Sequence, residues 1–206
     1  MSIELKELEK KDYGKAIDFA VKGMHFERYT QNPTALRLYG RYFLYLEMER
    51  ATQIIAAYEG EQLLGIIMAT VKGEKKRYHG FWRSIYVKVF SFIMNHVLGG
   101  ASSLYDDANS AMLKKYQETH LTDGEICFLA ADPNTQGKGI GSKLLAELEK
   151  REHKKQIYLF TDNNCTWQFY EHKGFARVGE QEIEMEIGGK NVPLTCLLYA
   201  KTMGTV

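Results

Sequence analysis

The chain has 206 residues, 45% apolar and 26% charged, which suits one folded domain with a full core and excludes disordered or fibrous classes. Lys and Arg number 27 against 26 Asp and Glu, a formal net charge of +1, so the whole-chain charge argues against nucleic acid or a membrane as partner. Three cysteines, Cys127, Cys165 and Cys196, form no close pair. They indicate neither a disulfide framework nor a metal knuckle and suit a reducing, cytoplasmic setting.

The opening segment, Met1 to Lys10, is too charged for a signal peptide, and the oily run Ile85 to Leu98 is broken by Lys88, Asn95 and His96. Ile3 to Leu8 alternates as a strand. Asp12 is placed to cap a helix through Ala16, Ile17, Phe19, Ala20 and Met24, and Pro33 to open a second helix toward Met48. Gln53 to Tyr58 and Leu63 to Val71 read as a hairpin across Glu-Gly-Glu-Gln. Residues 73–122 change character: a basic turn, an aromatic stretch with Phe81, Trp82, Tyr86, Phe90 and Phe92, a break at Gly99-Gly100, and a helix from about Asp106 to Glu118. This reads as a helical insertion in a single domain spanning 1–206.

The last third is the most regular. Glu125 to Ala131 reads as a buried strand, Gly139 to Lys154 as a helix and Ile157 to Phe160 as a second buried strand, a βαβ unit. A further helix is expected over Asp162 to Lys173, closed by Gly174. Two strands follow, Phe175 to Ile187 and Val192 to Lys201, joined through Gly188-Gly189.

The chemistry concentrates between the first of those buried strands and its helix, in Asp132-Pro-Asn-Thr-Gln-Gly-Lys-Gly-Ile-Gly-Ser142. Glycines let the backbone approach a ligand, and the N–H groups of a helix start point outward. No acidic residue lies between Thr135 and Ser142, although a solvated helix start gains from one. The positive end is therefore left for an outside anion, with Lys138 expected to add to it. Neither GxxxxGK[ST] nor GxGxxG fits, and the hairpins at both ends argue against a doubly wound nucleotide fold. Small side chains at Ala130 and Ala131 leave the strand edge open to an extended ligand. No paired-ligand spacing appears among the six histidines, so no metal is expected.

Gln136-Gly-Lys-Gly-Ile-Gly141 resembles the [Q/R]-x-x-G-x-[G/A] signature of the GNAT superfamily of N-acetyltransferases. Asn163, Phe169-Tyr170 and Gly174-Phe175 are similar to its N-(x)n-[FL]-Y-x-x-x-G-F segment, and Tyr58 to Ile66 to its β2-β3 hairpin. The resemblance implies an α/β fold with a mixed, mostly antiparallel central sheet flanked by helices, here with a helical insertion between the third and fourth strands. It implies acetyl-CoA as cosubstrate and direct attack by a primary amine in a ternary complex. The diphosphate would lie on Gln136, Gly137, Lys138, Gly139, Ile140, Gly141 and Ser142. Pantetheine would run along Leu129, Ala130 and Ala131, with Asn163 near the cofactor arm. Tyr170 takes the family's position for the general acid, and Glu125 that of the general base in its histone-acetylating branch. The amine, small molecule or peptide, is not named by any motif. The aromatic insertion, with Phe81, Trp82, Tyr86 and Tyr105, offers packing, pocket-shaping or homodimer surface. The rival reading is a catalytically silent acyl-CoA-binding module.

Overall fold

The computed structural model describes residues 2–28, 30–97, 101–187 and 190–204. Among the described residues seven strands are formed: β1 (Ile3–Lys6), β2 (Gln53–Glu59), β3 (Gln62–Val71), β4 (Gly124–Ala131), β5 (Gln156–Asp162), β6 (Ala176–Ile187) and β7 (Lys190–Thr202). They make one sheet in the order β1-β2-β3-β4-β5-β7-β6. Every neighbouring pair is antiparallel except β4 with β5. The helices are α1 (Tyr13–Gly23), α2 (Pro33–Arg50), α3 (Phe81–Val97), α4 (Ala101–Gln117), α5 (Ile140–Arg151) and the short α6 (Gln168–His172). Helices α3 and α4 occupy the connection between β3 and β4, so the insertion is helical as expected.

Side-chain alternation along the strands sorts the helices onto two faces. In β5, Ile157 and Leu159 join the core beneath Leu144, Leu145 and Leu148 of α5. Tyr158 and Phe160 point to the other face, against Ala108 and Met112 of α4. Phe128 of β4 packs with Ile17, Phe19 and Leu44 of α1 and α2. Since Glu125 is the register partner of Tyr158, α1, α2 and α4 share one face, while α5 and α6 lie on the opposite one.

Asn32 starts α2: its Oδ1 accepts from the Thr34 and Ala35 amides at 2.9 and 3.2 Å, and Pro33 supplies a preset φ at the first helical position. Helix α3 then lies on α2 through aromatic contacts, with Tyr42 stacked on Phe90 at 4.8 Å and Tyr45 edge-on to Tyr86 at 5.5 Å. Its start is tied down by Glu49, which accepts from the Gly80 amide at 2.9 Å and pairs with Arg83.

Several expectations need correction. Asp12 sits at the start of α1 but makes no side-chain cap; its Oδ2 accepts from the Tyr58 hydroxyl at 2.9 Å instead. Helix α4 begins at Ala101, a turn before Asp106. The helix expected from Asp162 is only Gln168–His172. Asp162 ends β5, its side chain accepting from the Asn164 amide at 2.8 Å, and the Asn163 amide continues the ladder to the Thr195 carbonyl at 3.0 Å. Local Asx pairing and the β7 edge thus outcompete the helix start. The Gly99-Gly100 break and the Gly188-Gly189 turn lie outside the described residues.

Candidate active site

The parallel pair β4 and β5 is joined by only two rungs, Gly124 with Ile157 and Glu125 with Tyr158. Beyond them the strands part. A cause is visible on the other edge of β4, where Ala69 pairs with Ile126 but Met68 with Phe128, making Cys127 the extra residue of a bulge. A bulge bends its strand and increases the local twist. Past it, Leu129, Ala130 and Ala131 pair with β3 alone, and their edge toward β5 carries no strand. A cleft of about 730 Å³ fills the gap, within the range of small-molecule sites.

The glycine turn forms one wall. Asp132 fixes its start: the Asp132 amide donates to the Leu64 carbonyl at 2.7 Å, Oδ1 accepts from the Asn134 amide at 3.0 Å, and Oδ2 pairs with Lys15 at 3.0 Å. The Asn134 N–H and the Lys15 ammonium hold this carboxyl below its ordinary range. Gly137 and Gly139 have φ of +87° and +66°, and a Cβ at either would meet nothing within 4 Å. The left-handed backbone calls for glycine, and the space beyond is open.

Of the amides assigned to the diphosphate, Gln136 and Lys138 already donate within the loop, to the Pro133 and Thr135 carbonyls at 3.4 and 3.0 Å. The first bond closing α5 runs from the Lys143 amide to the Gly139 carbonyl. That leaves Gly139, Ile140, Gly141 and Ser142 as the donors of a helix start without intrahelical acceptors, and the Gly137 amide has no partner among the described residues. The support is rigid, since Ile140, Leu144, Leu145 and Leu148 of α5 are buried in the core.

Lys138 departs from expectation: its ammonium pairs with Glu59 at 2.8 Å and does not line the cleft. Asn163 also turns away, its Oδ1 accepting from the Thr195 amide at 3.2 Å. Leu129 to Ala131 and Gln136, Gly137 and Gly139 to Ser142 all line the cleft, as does Tyr170.

The Tyr170 ring lies edge-on to Phe169 and Phe175 at 5.4 and 5.8 Å. Burial pushes its hydroxyl pKa well up, so the group stays protonated at neutral pH. Cys165 lines the cleft too, but burial raises its thiol to about 11, leaving little nucleophilic thiolate.

Glu125 stands at the last β4–β5 rung, where the cleft closes, and does not line the open space. Both its oxygens accept from the Arg50 guanidinium, at 3.0 and 3.1 Å, with the Tyr158 hydroxyl 3.4 Å from Oε2. The Nε of Arg50 donates to buried Glu47 at 2.6 Å, whose carboxyl is pushed up by burial against the opposing effect of Arg50. No spacing in the sequence joins Glu47 and Arg50 to Glu125.

The second wall comes from elements the motifs do not cover. Phe19, Lys22, Met24 and His25, at the end of α1, and Tyr105 of α4 line the cleft. His25 has φ +52°, unusual for a non-glycine residue. Of the four aromatic residues singled out in the insertion, Tyr105 reaches the cleft; Tyr86 packs on α2, while Phe81 and Trp82 are exposed. Among the described residues, no three His, Cys, Asp or Glu side chains gather so as to hold a metal ion.

A sheet with one splayed parallel pair, a glycine turn at its mouth and a helix behind it defines the GNAT fold. Residues 95–177 match the family model described as an acetyltransferase (GNAT) domain. The structure is similar over 100% of both chains to "histone acetyltransferase HPA2 and related acetyltransferase" from Corynebacterium glutamicum, at 18% identity and TM-score 0.60. It is similar to the PaiA N-acetyltransferase of Thermoplasma acidophilum in complex with coenzyme A, at 16% identity and TM-score 0.54, covering 98% of this chain and 99% of that one. It is also similar to the ribosomal-protein-S18-alanine N-acetyltransferase of Escherichia coli, at 13% identity and TM-score 0.52, covering 100% and 96%. No curated protein sequence matches it. The resemblance to the GNAT superfamily thus holds in fold over the whole chain and in sequence over 95–177.

Proposed function

We propose that this protein transfers an acetyl group from acetyl-CoA to a primary amine. The observation that carries the reading is the unpaired edge of β4 ending at a turn whose amides at Gly137 and Gly139 to Ser142 have no protein acceptor among the described residues, with open space beside Gly137 and Gly139. An extended amide-bearing arm can pair with the strand edge while a diphosphate takes the amides. Acetyl-CoA has that shape and supplies the reactive thioester; the coenzyme A complex of the Thermoplasma acidophilum neighbour supports the assignment.

The protein contributes mostly position. Holding the amine and the thioester in one groove converts a bimolecular encounter into an oriented one, and β4 amides at the bulge can polarise the thioester carbonyl. Tyr170, kept protonated by burial, donates toward the departing sulfur. Glu125 is the candidate base, and its Oε1, which accepts from Arg50 alone, keeps a further lone pair to take a proton. A base matters most for a lysine-like amine, whose deprotonation at pH 7 costs about 4.6 kcal/mol against about 1 kcal/mol for an α-amine. The free thiols suit a cytoplasmic setting.

The test is incubation with acetyl-CoA and a panel of amines, peptide α-amines and lysines included, while following thiol release. Release that depends on the acceptor supports the transferase. Cofactor binding with no acceptor-dependent release would assign a silent acyl-CoA-binding module instead.

A further inference from the structure

Helix α3 turns one face to α2 and another to solvent. The inward side carries Tyr86 and Phe90. The outward side carries Phe81, Trp82, Ile85, Val89 and Ile93, exposed at 70, 78, 39, 55 and 47%. At 100° per residue these five span an arc of about 120°, a continuous apolar stripe rather than scattered surface residues.

Charge decides what can cover it. From Lys75 to Tyr105 the sequence holds no Asp or Glu. Arg83 is neutralised by Glu49. Lys75, Lys76 and Arg77, exposed just before the helix, and Lys88, exposed beside the stripe, have no acidic partner among the described residues. A second copy meeting this face through a two-fold contact would bring both sets of cations together with no carboxylate from the helix to offset them. A planar anionic surface satisfies both features at once: aromatic and aliphatic side chains enter the headgroup boundary while flanking Lys and Arg stay at the phosphates. No helix of the described residues is long and apolar enough to cross a membrane, so the helix would lie in the surface and not span it.

We propose that α3 is a docking face for anionic lipid bilayers, with Phe81, Trp82, Ile85 and Val89 inserted and Lys75, Lys76, Arg77 and Lys88 at the headgroups. The near-zero net charge of the whole chain conceals this local excess. The proposal is independent of the acetyltransferase reading.

Vesicle co-sedimentation of the whole protein tests it, using phosphatidylcholine alone and phosphatidylcholine with phosphatidylserine. The protein should pellet with the anionic vesicles and stay in solution with the neutral ones. Each basic residue near an anionic leaflet is worth about fivefold in partitioning, so K75Q/K76Q/R77Q, outside any helix, should lose about a hundredfold, and added salt should mimic it. Trp82→Glu should abolish pelleting while leaving the melting temperature unchanged, the side chain being exposed. Absence of pelleting, or equal pelleting with both vesicles, overturns the proposal. So does a dimer seen by light scattering that Trp82→Glu dissociates, because the stripe would then be covered by a second copy.

Discussion

Two side chains carry the proposed proton transfers, and their surroundings give them unequal weight. Tyr170 is neutral, half-buried among aromatic rings and on the cleft. A thiol of pKa about 8.5 already leaves fairly well near neutrality, so Tyr170→Phe should lower kcat about tenfold, below the hundredfold or more a positioned acid often contributes. KM for acetyl-CoA should stay close to wild type, as steady-state kinetics would show. Glu125 is held by both terminal nitrogens of Arg50. As base it requires that Glu125→Gln lower kcat/KM for a lysine-like amine about a hundredfold and change the acidic limb of the pH–rate profile. An unchanged profile would leave Glu125 as the far end of the Glu47–Arg50 ion cluster and nothing more.

At the scale of elements, the glycine turn is only as rigid as its two anchors. Helix α5 holds it from behind, with Leu144 fully buried. Leu144→Ala should cost about 3 kcal/mol by cavity formation, measured by chemical denaturation, and weaken coenzyme A binding because the turn loses its footing. Asp132 holds it from the β4 side. Its folded pKa is depressed by the Asn134 amide and Lys15, so its contribution is full above the unfolded value of about 3.9 and is lost as pH falls through the folded one. Asp132→Ala should therefore be less stable than wild type by about 1 kcal/mol at neutral pH, and the gap should close in acid. A gap independent of pH would mean that packing, not charge, fixes the loop.

Over the whole molecule, the sheet and the turn were legible because their signals are local: period-two strands, the Asn32-Pro33 helix start, the two glycines with positive φ. The departures arise where distant groups compete for a residue. Asn163 belongs to β7 through Thr195, Lys138 to Glu59, and Asp12 to Tyr58, partners 32, 79 and 46 positions away along the chain. The second wall of the cleft, from Phe19 and His25 to Tyr105, carries no motif at all, because the fold assembles it from α1 and the insertion. The proposed grip of five backbone amides on a diphosphate is measured directly by amide-resolved NMR during a titration with coenzyme A. The signals of Gly137, Gly139, Ile140, Gly141 and Ser142 should shift together, while those of Gln136 and Lys138, bonded within the loop, move less. Binding that leaves the five signals in place would contradict the account.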